Sequence, residues 1–457
     1  MSHILALLSR VNEDVTPKLL SAMRKTLCAR GENISILLSS GVTKYRELPK
    51  KLEYSSSALA MTGEHLINNT AVISNTPKQD LFNNFQITNP RNINAPYSVV
   101  QIGVESLTVV RDIIGTLPLY LGKNQKLYAI STHMKSLWEM GLDATSILPG
   151  NLLEISTINI NQKQIRTISQ PTQKNESITN NVKTLNKLLQ KIIKSMIPKD
   201  GKVALGFSGG IDSTLLAYYL KQEEIDISLI CVSLENSSEF KAAEKAALTL
   251  DLPLNIYKYP TSAVKDELKR VLWIIEDYSP VNVGIGISLV WAASRARELG
   301  NGYFFSGGGA DELFGGYHRY LGKPPERVKS MIFNDVVNSY KINYERDYKV
   351  CHHEGLNLMI PFADIRLIEY GLSIPISQKL PENPSAPRKI VLRMLAKKLG
   401  IPQDVYNKPK KAFQYSTGVN KELLKIAQKN DIRLSDYLKT KFNEIKKERL
   451  LEGSDDP

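Results

Sequence analysis

The stretch GFSGGIDSTLLAYYL, residues 206–220, decides how the chain is read. The residues leading into it, KVALGF (202–207), have the apolar character of a short buried strand, and Leu215, Leu216, Tyr219 and Leu220 recur at helical spacing. The glycines therefore join a strand end to a helix start. Gly209 and Gly210 let the backbone turn tightly and approach a ligand, while Ser208, Asp212, Ser213 and Thr214 fall where a first helical turn leaves its N–H groups unpaired. Such a loop is an anion site. No lysine follows the glycines, so the pattern is not the phosphate loop G-x-x-x-x-G-K-[ST]. Asp212 would repel a bare phosphate, and a polyphosphate would meet it through Mg²⁺, which prefers hard oxygen ligands. Without a ligand, the same residues read as a helix cap on an ordinary α/β unit.

A second loop, SGGGADELFGGYHRY (306–320), repeats the arrangement after the strand-like GYFFSG (302–307). In a parallel sheet its Ser306–Gly309 backbone and the Asp311 carboxylate would lie beside the first loop, so that Asp212 and Asp311 share one polyphosphate and its metal. Alone, this loop too reads as a glycine turn capping a helix.

From about residue 181 strands alternate with helices: VALGF before the 213–222 helix, ISLICVSL (227–234) before a helix reaching Leu250, and LNIYKY (254–259) before helices after Ser262. That order predicts a parallel sheet with helices on both faces and ligands at the carboxyl ends of the strands. Residues 1 to about 158 instead carry short β-type segments, namely ISILLSS (34–40), YSVVQIG (97–103), SLTVVRD (106–112), PLYLGKN (118–124) and NLLEISTI (151–158), with one early helix around Pro17 to Arg30. This is an α+β pattern with antiparallel strands. The polar stretch 161–180 between the two regions reads as a linker.

The 457 residues, 42% hydrophobic and 23% charged, are enough for two or three domains. No apolar run reaches membrane-spanning length and MSHILALLSR lacks the order of a secretory signal, so a cytoplasmic protein is expected. The net charge of +13 sits largely on amphipathic stretches such as 186–202 and 439–453, as solvated faces. Without aromatic and basic interleaving, no nucleic-acid partner is expected. Cys28, Cys231 and Cys351 form no C-x-x-C pair and read as buried fillers. Cys351, His352, His353 and Glu354 are adjacent, and adjacent helical side chains cannot close one tetrahedral metal site.

The pair SGGIDS and SGGGADELFGGY resembles the synthetase domain of class B, glutamine-hydrolysing asparagine synthetases, whose relatives include β-lactam synthetases and lasso-peptide cyclases. SLENS (233–237), SPVNVGIGI (279–287), GLNLMIPFAD (355–364) and NKPKKAFQYSTGV (407–419) match it too, while CARG (28–31), VVRDIIGTLPLY (109–120) and LPGNLLEI (148–155) look like the glutaminase domain. The resemblance implies an N-terminal-nucleophile-type α+β sandwich over 1–160, the linker, an α/β parallel-sheet ATP-pyrophosphatase (HUP-like) domain over 181–430, and a basic helix and tail over 431–457. It implies adenylation of a carboxylate by ATP, release of pyrophosphate and attack by an amine. Ser208, Gly209, Gly210 and Ser213 would then hold pyrophosphate, Asp212 and Asp311 the Mg²⁺, while Phe207, Val232, Ser306 and Gly307 border the adenosine. The family's catalytic lysine falls on Lys410 or Lys411.

Departures bound this reading. The family's nucleophilic cysteine at position 2 is Ser2 here, followed by His3; the oxyanion stretches have no clean counterpart between Thr62 and Asn89, and only Arg30 is left of the glutamine pocket. A degenerate, structural or regulatory glutaminase domain is expected, with free ammonia as the simplest amine. Gly308 stands where many asparagine synthetases have Glu, and Asn357 and Met359 stand where they have Glu and Arg. Those changes leave open the carboxylate and amine, a β-lactam-synthetase-like pair among them, and leave a non-catalytic nucleotide-binding homologue as the other reading. His352 or His353 is a candidate for the acceptor pocket. The expected partners are small-molecule carboxylate and amine substrates, with a homodimer or a separate ammonia source as further options.

Overall fold

The computed structural model describes residues 3–26, 34–38, 41–45, 49, 51–53, 55–62, 66–67, 70–74, 96–103, 105–173, 175–199, 201–235, 237, 239–407 and 417–451. The chain divides into two compact units, one of Met1–Asn75, Gln79–Thr167 and Asn443–Pro457, the other of Thr76–Lys78 and Ile168–Phe442.

The first unit contains β1 (Ile4–Ser9), α1 (Thr16–Thr26), β2 (Ile34–Leu38), β3 (Gly41–Tyr45), β4 (Ser57–Thr62), β5 (Leu66–Ile67), β6 (Thr70–Ser74), β7 (Tyr97–Ile102) and β8 (Ser106–Arg111). It continues through β9 (Tyr120–Lys123), β10 (Leu127–Ser131), α2 (Met134–Trp138), β11 (Ala144–Ser146), β12 (Asn151–Ser156) and β13 (Ile160–Gln164). Two antiparallel sheets result, in the orders β11-β9-β10-β1-β4-β2-β3 and β13-β12-β8-β7-β6-β5. Every residue of β1 is buried, which accounts for its unbroken apolar run. Leu5 and Leu7 pack with Leu19 and Met23 of α1 and Leu137 of α2, and the opposite side of β1 and β4 meets β7.

The RDIIG stretch that begins at the last residue of β8 works as a clamp. Arg111 is buried and donates to the carbonyls of Leu117 (2.9 Å), Ile147 (2.6 Å) and Gly115 (2.8 Å), while Asp112 Oδ1 accepts from the N–H groups of Ile114 (2.7 Å) and Gly115 (2.9 Å). Burial pushes the Asp112 carboxyl up to about 6 against those N–H bonds and the neighbouring guanidinium.

His3 lies inside this unit, its Nε2 3.1 Å from Ser136 Oγ and 3.4 Å from Ser131 Oγ, with its ring edge-on to His133. Burial, with Lys135 nearby, holds its pKa down at about 3. Because the folded value lies below the unfolded one, the unfolded chain binds the extra proton between pH 6.5 and 3, and stability is lost as pH falls through that window. Taking His3 to Gln should remove roughly 2 kcal/mol of the stability lost between pH 6.5 and pH 5. Paired denaturant titrations at those two pH values check it; identical losses in both proteins would refute it.

The linker is shorter than the sequence suggests. β13 pairs with β12 along its length, and Ile165 and Arg166 both donate N–H to Gly150 O (2.9 and 3.2 Å). All but its first residue are exposed, so no apolar alternation marks it as a strand. The final helix, Leu434–Leu451, also departs from the expected tail, because its residues from Asn443 on group with the first unit. There the Lys446 ammonium lies 4.1 Å from the centre of the Trp138 ring.

The second unit opens with α3 (Ile178–Met196), capped by Ser177 Oγ, which accepts from Asn180 N–H at 3.3 Å. Then come β14 (Lys202–Gly206), α4 (Ile211–Lys221), β15 (Asp226–Leu234), α5 (Glu239–Leu250), β16 (Leu254–Tyr259), α6 (Ala263–Ile275), α7 (Pro280–Glu298), β17 (Tyr303–Phe305) and α8 (Ala310–Phe314). The unit continues with α9 (Pro325–Ser339), a π turn over Tyr340–Tyr344, α10 (Glu345–His353), β18 (Asn357–Met359), α11 (Ile365–Ser373), α12 (Ile390–Lys398) and α13 (Gln403–Tyr406), and the helix Val419–Gln428 follows. As expected from the alternation, the sheet is parallel, in the order β16-β15-β14-β17-β18. Among the described residues no helix is long and apolar enough to cross a membrane.

Candidate active site

The strand order places β15 and β16 on one side of β14, the first strand of this sheet, and β17 and β18 on the other, so the direction of winding reverses between β14 and β17. Ligands of open α/β sheets gather at that reversal. Leu205 is in register with Phe305, so both glycine loops leave the sheet at the same level. They touch: a Cβ built on Gly307 would lie 3.2 Å from Asp212 Cβ.

Gly209 has φ +65°, and a Cβ there would sit 2.3 Å from Ala242 O. Both observations require glycine. Ser213 Oγ donates to Gly210 O (3.2 Å), Gly210 N–H donates to Ser208 Oγ (3.3 Å), and Ser208 Oγ is 3.4 Å from Ser213 Oγ. The loop thus holds its own hydroxyls, and the first internal bond of α4 is Thr214 N–H to Gly210 O at 2.9 Å, which leaves the preceding N–H groups at an open helix end. In the second loop Ser306 N–H donates to Met359 O (2.9 Å) and Ser306 Oγ accepts from Gly308 N–H (3.2 Å). Phe207 and Val232 are buried beside the first loop, with Phe207 N–H donating to Ile230 O (2.8 Å).

Asp212 and Asp311 come together through a residue that the sequence reading did not single out. The Lys389 ammonium lies 2.6 Å from each Asp212 carboxylate oxygen and 2.8 Å from Asp311 Oδ1, and Lys389 is 1% exposed. Its backbone, at the N-cap of α12, has φ +64°. A Cβ at Gly316 would fall 1.7 Å from Asp311 Oδ1 and 2.7 Å from Lys389 Cε, so this glycine makes room for the ion cluster. The neighbouring Glu312 is buried and accepts from Tyr317 Oη and from Asn343 Nδ2; burial first and Asp311 second push its carboxyl up. Burial lowers the Arg393 guanidinium to about 10, with the Asp212 charge opposing.

For Mg²⁺ the donor set is suitable: two carboxylates of hard oxygens converge on one cation position. In the structure the positive charge at that position is the Lys389 ammonium. Lys410 and Lys411, and Ser2, Cys28 and Arg30 of the N-terminal reading, lie outside the described residues. At the end of that segment Thr417 O accepts from Ser233 Oγ (3.1 Å) and Leu234 N–H (3.2 Å) at the end of β15. Cys351 is fully buried, which pushes its thiol up, and His352 stacks on Tyr348 within the packing of α10.

An asparagine synthase family model matches residues 184–328 and 321–456, more than half of the chain, including both loops and Lys389. The chain belongs to the asparagine synthase family. Within the asparagine synthase family it is 28% identical over 375 residues to a putative glutamine-hydrolysing asparagine synthetase of Methanocaldococcus jannaschii, covering 70% of this chain and 68% of that one. It is 29% identical over 274 residues to an asparagine synthetase domain-containing protein of Saccharomyces cerevisiae, covering half of each chain. To the glutamine-hydrolysing asparagine synthetase of Mus musculus it is 27% identical over 264 residues, covering 55% of this chain and 46% of that one. The chain thus spans about half the length of the last two relatives. Solved structures of an NMN synthetase from Francisella tularensis (12% identity, TM-score 0.31, 61% of this chain and 95% of that one) and an NH₃-dependent NAD synthetase from Campylobacter jejuni (16%, 0.28, 62% and 98%) overlap it only weakly.

Proposed function

We propose that the protein is an ATP-dependent, AMP-forming amide ligase of the asparagine synthetase type, which adenylates a carboxylate, aspartate first among candidates, and transfers the acyl group to ammonia. The observation that carries this reading is the contact between the two glycine loops at the winding reversal, with Asp212 and Asp311 converging on one cation. The open N–H groups of α4 and the hydroxyls of Ser208 and Ser213 would bind pyrophosphate oxygens. Phe207, Val232, Ser306 and Gly307 would border the nucleoside. Mg²⁺ held by Asp212 and Asp311 would neutralise phosphate charge. Lys410 or Lys411 is kept as the cation acting on the reacting phosphate and acyl oxygens.

A related ligase for another carboxylate and amine pair is the second reading, favoured by Gly308, Asn357 and Met359 in the second loop and at β18. A non-catalytic homologue is disfavoured, because holding an ammonium and two carboxylates together away from water costs free energy that a scaffold does not need to spend. The N-terminal unit is proposed to be an N-terminal-nucleophile-type domain without glutaminase activity, and the protein to be cytoplasmic. The test is product analysis: incubation with Mg·ATP, ammonium and a panel of carboxylates should give AMP and pyrophosphate in equal amounts with one of them. ADP and phosphate, or no carboxylate dependence, would refute the reading.

A further inference from the structure

The space beside Gly308 is bordered by an acid from another element. A Cβ built on Gly308 would lie 3.5 Å from Ser306 Oγ, 3.7 Å from Ile360 Cγ2 and 3.8 Å from Asp347 Oδ2, all ordinary contact distances. Asp347 belongs to α10, which follows the π turn at Tyr340–Tyr344. A π turn inserts one residue into the helical repeat and so rotates the face presented beyond it. Arg346 and Asp347 lie in a helix buried from Glu345 to His352, at 6% exposure each.

Arg346 is fixed by its surroundings. Its Nη1 donates to Asn282 Oδ1 (2.9 Å) and Ile342 O (3.2 Å), and Asn282 Nδ2 in turn donates to Asp277 Oδ2 (2.5 Å). Its Nε and Nη2 both bind the same oxygen of its neighbour, Asp347 Oδ1, at 2.8 and 2.7 Å. Oδ2, the other oxygen, takes no hydrogen bond among the described residues and faces the Gly308 space, next to the loop proposed to hold the nucleotide. Burial pushes this carboxyl up, against the opposing pull of Arg346, as suits a group that takes up a proton. A carboxylate oxygen that no protein donor holds, on a residue only 6% exposed, is available to accept from a ligand N–H or to pair with a cation.

We infer that Asp347 is the carboxylate of the amine site, where its Oδ2 binds ammonium or a primary ammonium ion and takes one proton from it, so that the neutral amine attacks the activated acyl group. The inference rests on the ligase reading for the identity of the reaction. As the nitrogen bonds to the acyl carbon, the bond from that carbon to the AMP oxygen breaks and AMP leaves with the electron pair. The nitrogen sheds two protons in all, one to Oδ2 before the attack and one to the departing AMP phosphate as the amide forms. The acid absent at position 308 is thereby supplied from α10.

Asp347→Asn tests this, since the amide oxygen can still accept from Arg346 while the group facing Gly308 becomes a donor. The expected result is at least a tenfold fall in amide formation, carried by the Michaelis constant or turnover for ammonium, with carboxylate-dependent ATP–pyrophosphate exchange retained. Adding Gly308→Glu to that variant should restore part of the amide-forming rate. In a separate arm, methylammonium chloride should raise the melting temperature of the wild type above the effect of equal sodium chloride, and Asp347→Asn should abolish the difference. Loss of exchange together with amide formation, or an unchanged methylammonium effect in the variant, would overturn the inference. If the wild type shows no exchange with any carboxylate, yet the methylammonium effect depends on Asp347, the ligase reading falls and the cation site stands.

Discussion

Lys389→Met is expected to lower carboxylate-dependent pyrophosphate formation by at least about a hundredfold, and to make the stability of the second unit depend on Mg²⁺. The side chain is nearly inaccessible and its ammonium touches three carboxylate oxygens. Breaking a buried pair by removing one partner costs about 3–5 kcal/mol, because the remaining charge is left unpaired in a poor solvent. Here two carboxylates would remain, converging on a vacated cation position. Methionine fills most of the lysine volume, so packing alone predicts a small loss. Melting in EDTA should therefore show a large drop, and millimolar Mg²⁺ should recover part of it by binding the native state. A variant that melts like the wild type in EDTA, or ignores Mg²⁺, would show that the ion cluster is not what holds this loop pair together.

Asp212→Asn and Asp311→Asn should each reduce turnover at least about a hundredfold, with unequal effects on stability. Lys389 approaches both oxygens of Asp212 but only Oδ1 of Asp311. Asparagine at 212 must turn its NH₂ group toward the ammonium, donor against donor, and should lower the melting temperature. At 311 the amide oxygen can take the lysine contact while the NH₂ group turns away, so that variant should fold nearly as well as the wild type. Turnover and melting curves measured together separate the two roles. Near wild-type turnover in either variant would remove the shared cation site.

Both loops and their placement could be read from sequence because glycine, a strand end and a helix start leave local marks at Gly209, Asp212 and Asp311. The parallel sheet followed from the alternation of elements. Lys389 left no such mark: its partners are 177 and 78 residues away along the chain, and a basic residue before an amphipathic helix usually faces water. Asp347 was equally hidden, since α10 is polar in sequence yet buried almost throughout, its charges paired as Arg346 with Asp347 and Lys349 with Glu276 at 2.9 Å. In the N-terminal unit β1 was not singled out as a strand, because a short buried apolar run lacks the alternation that separates strand from helix, and β13 was hidden because Asn161 to Gln164 face solvent and are held by backbone pairing and by polar side-chain bonds to Glu154 and Asn151.

In the proposed reaction the paired glycine loops activate a carboxylate with ATP before any amine is needed. ATP–pyrophosphate exchange measures that step by itself: labelled pyrophosphate is supplied with Mg·ATP and one carboxylate at a time, in the absence of ammonium. The expected result is label appearing in ATP with aspartate or a related carboxylate, absent without carboxylate, and lost in Asp212→Asn and Lys389→Met. Exchange that ignores the carboxylate, or that persists in both variants, would contradict the account.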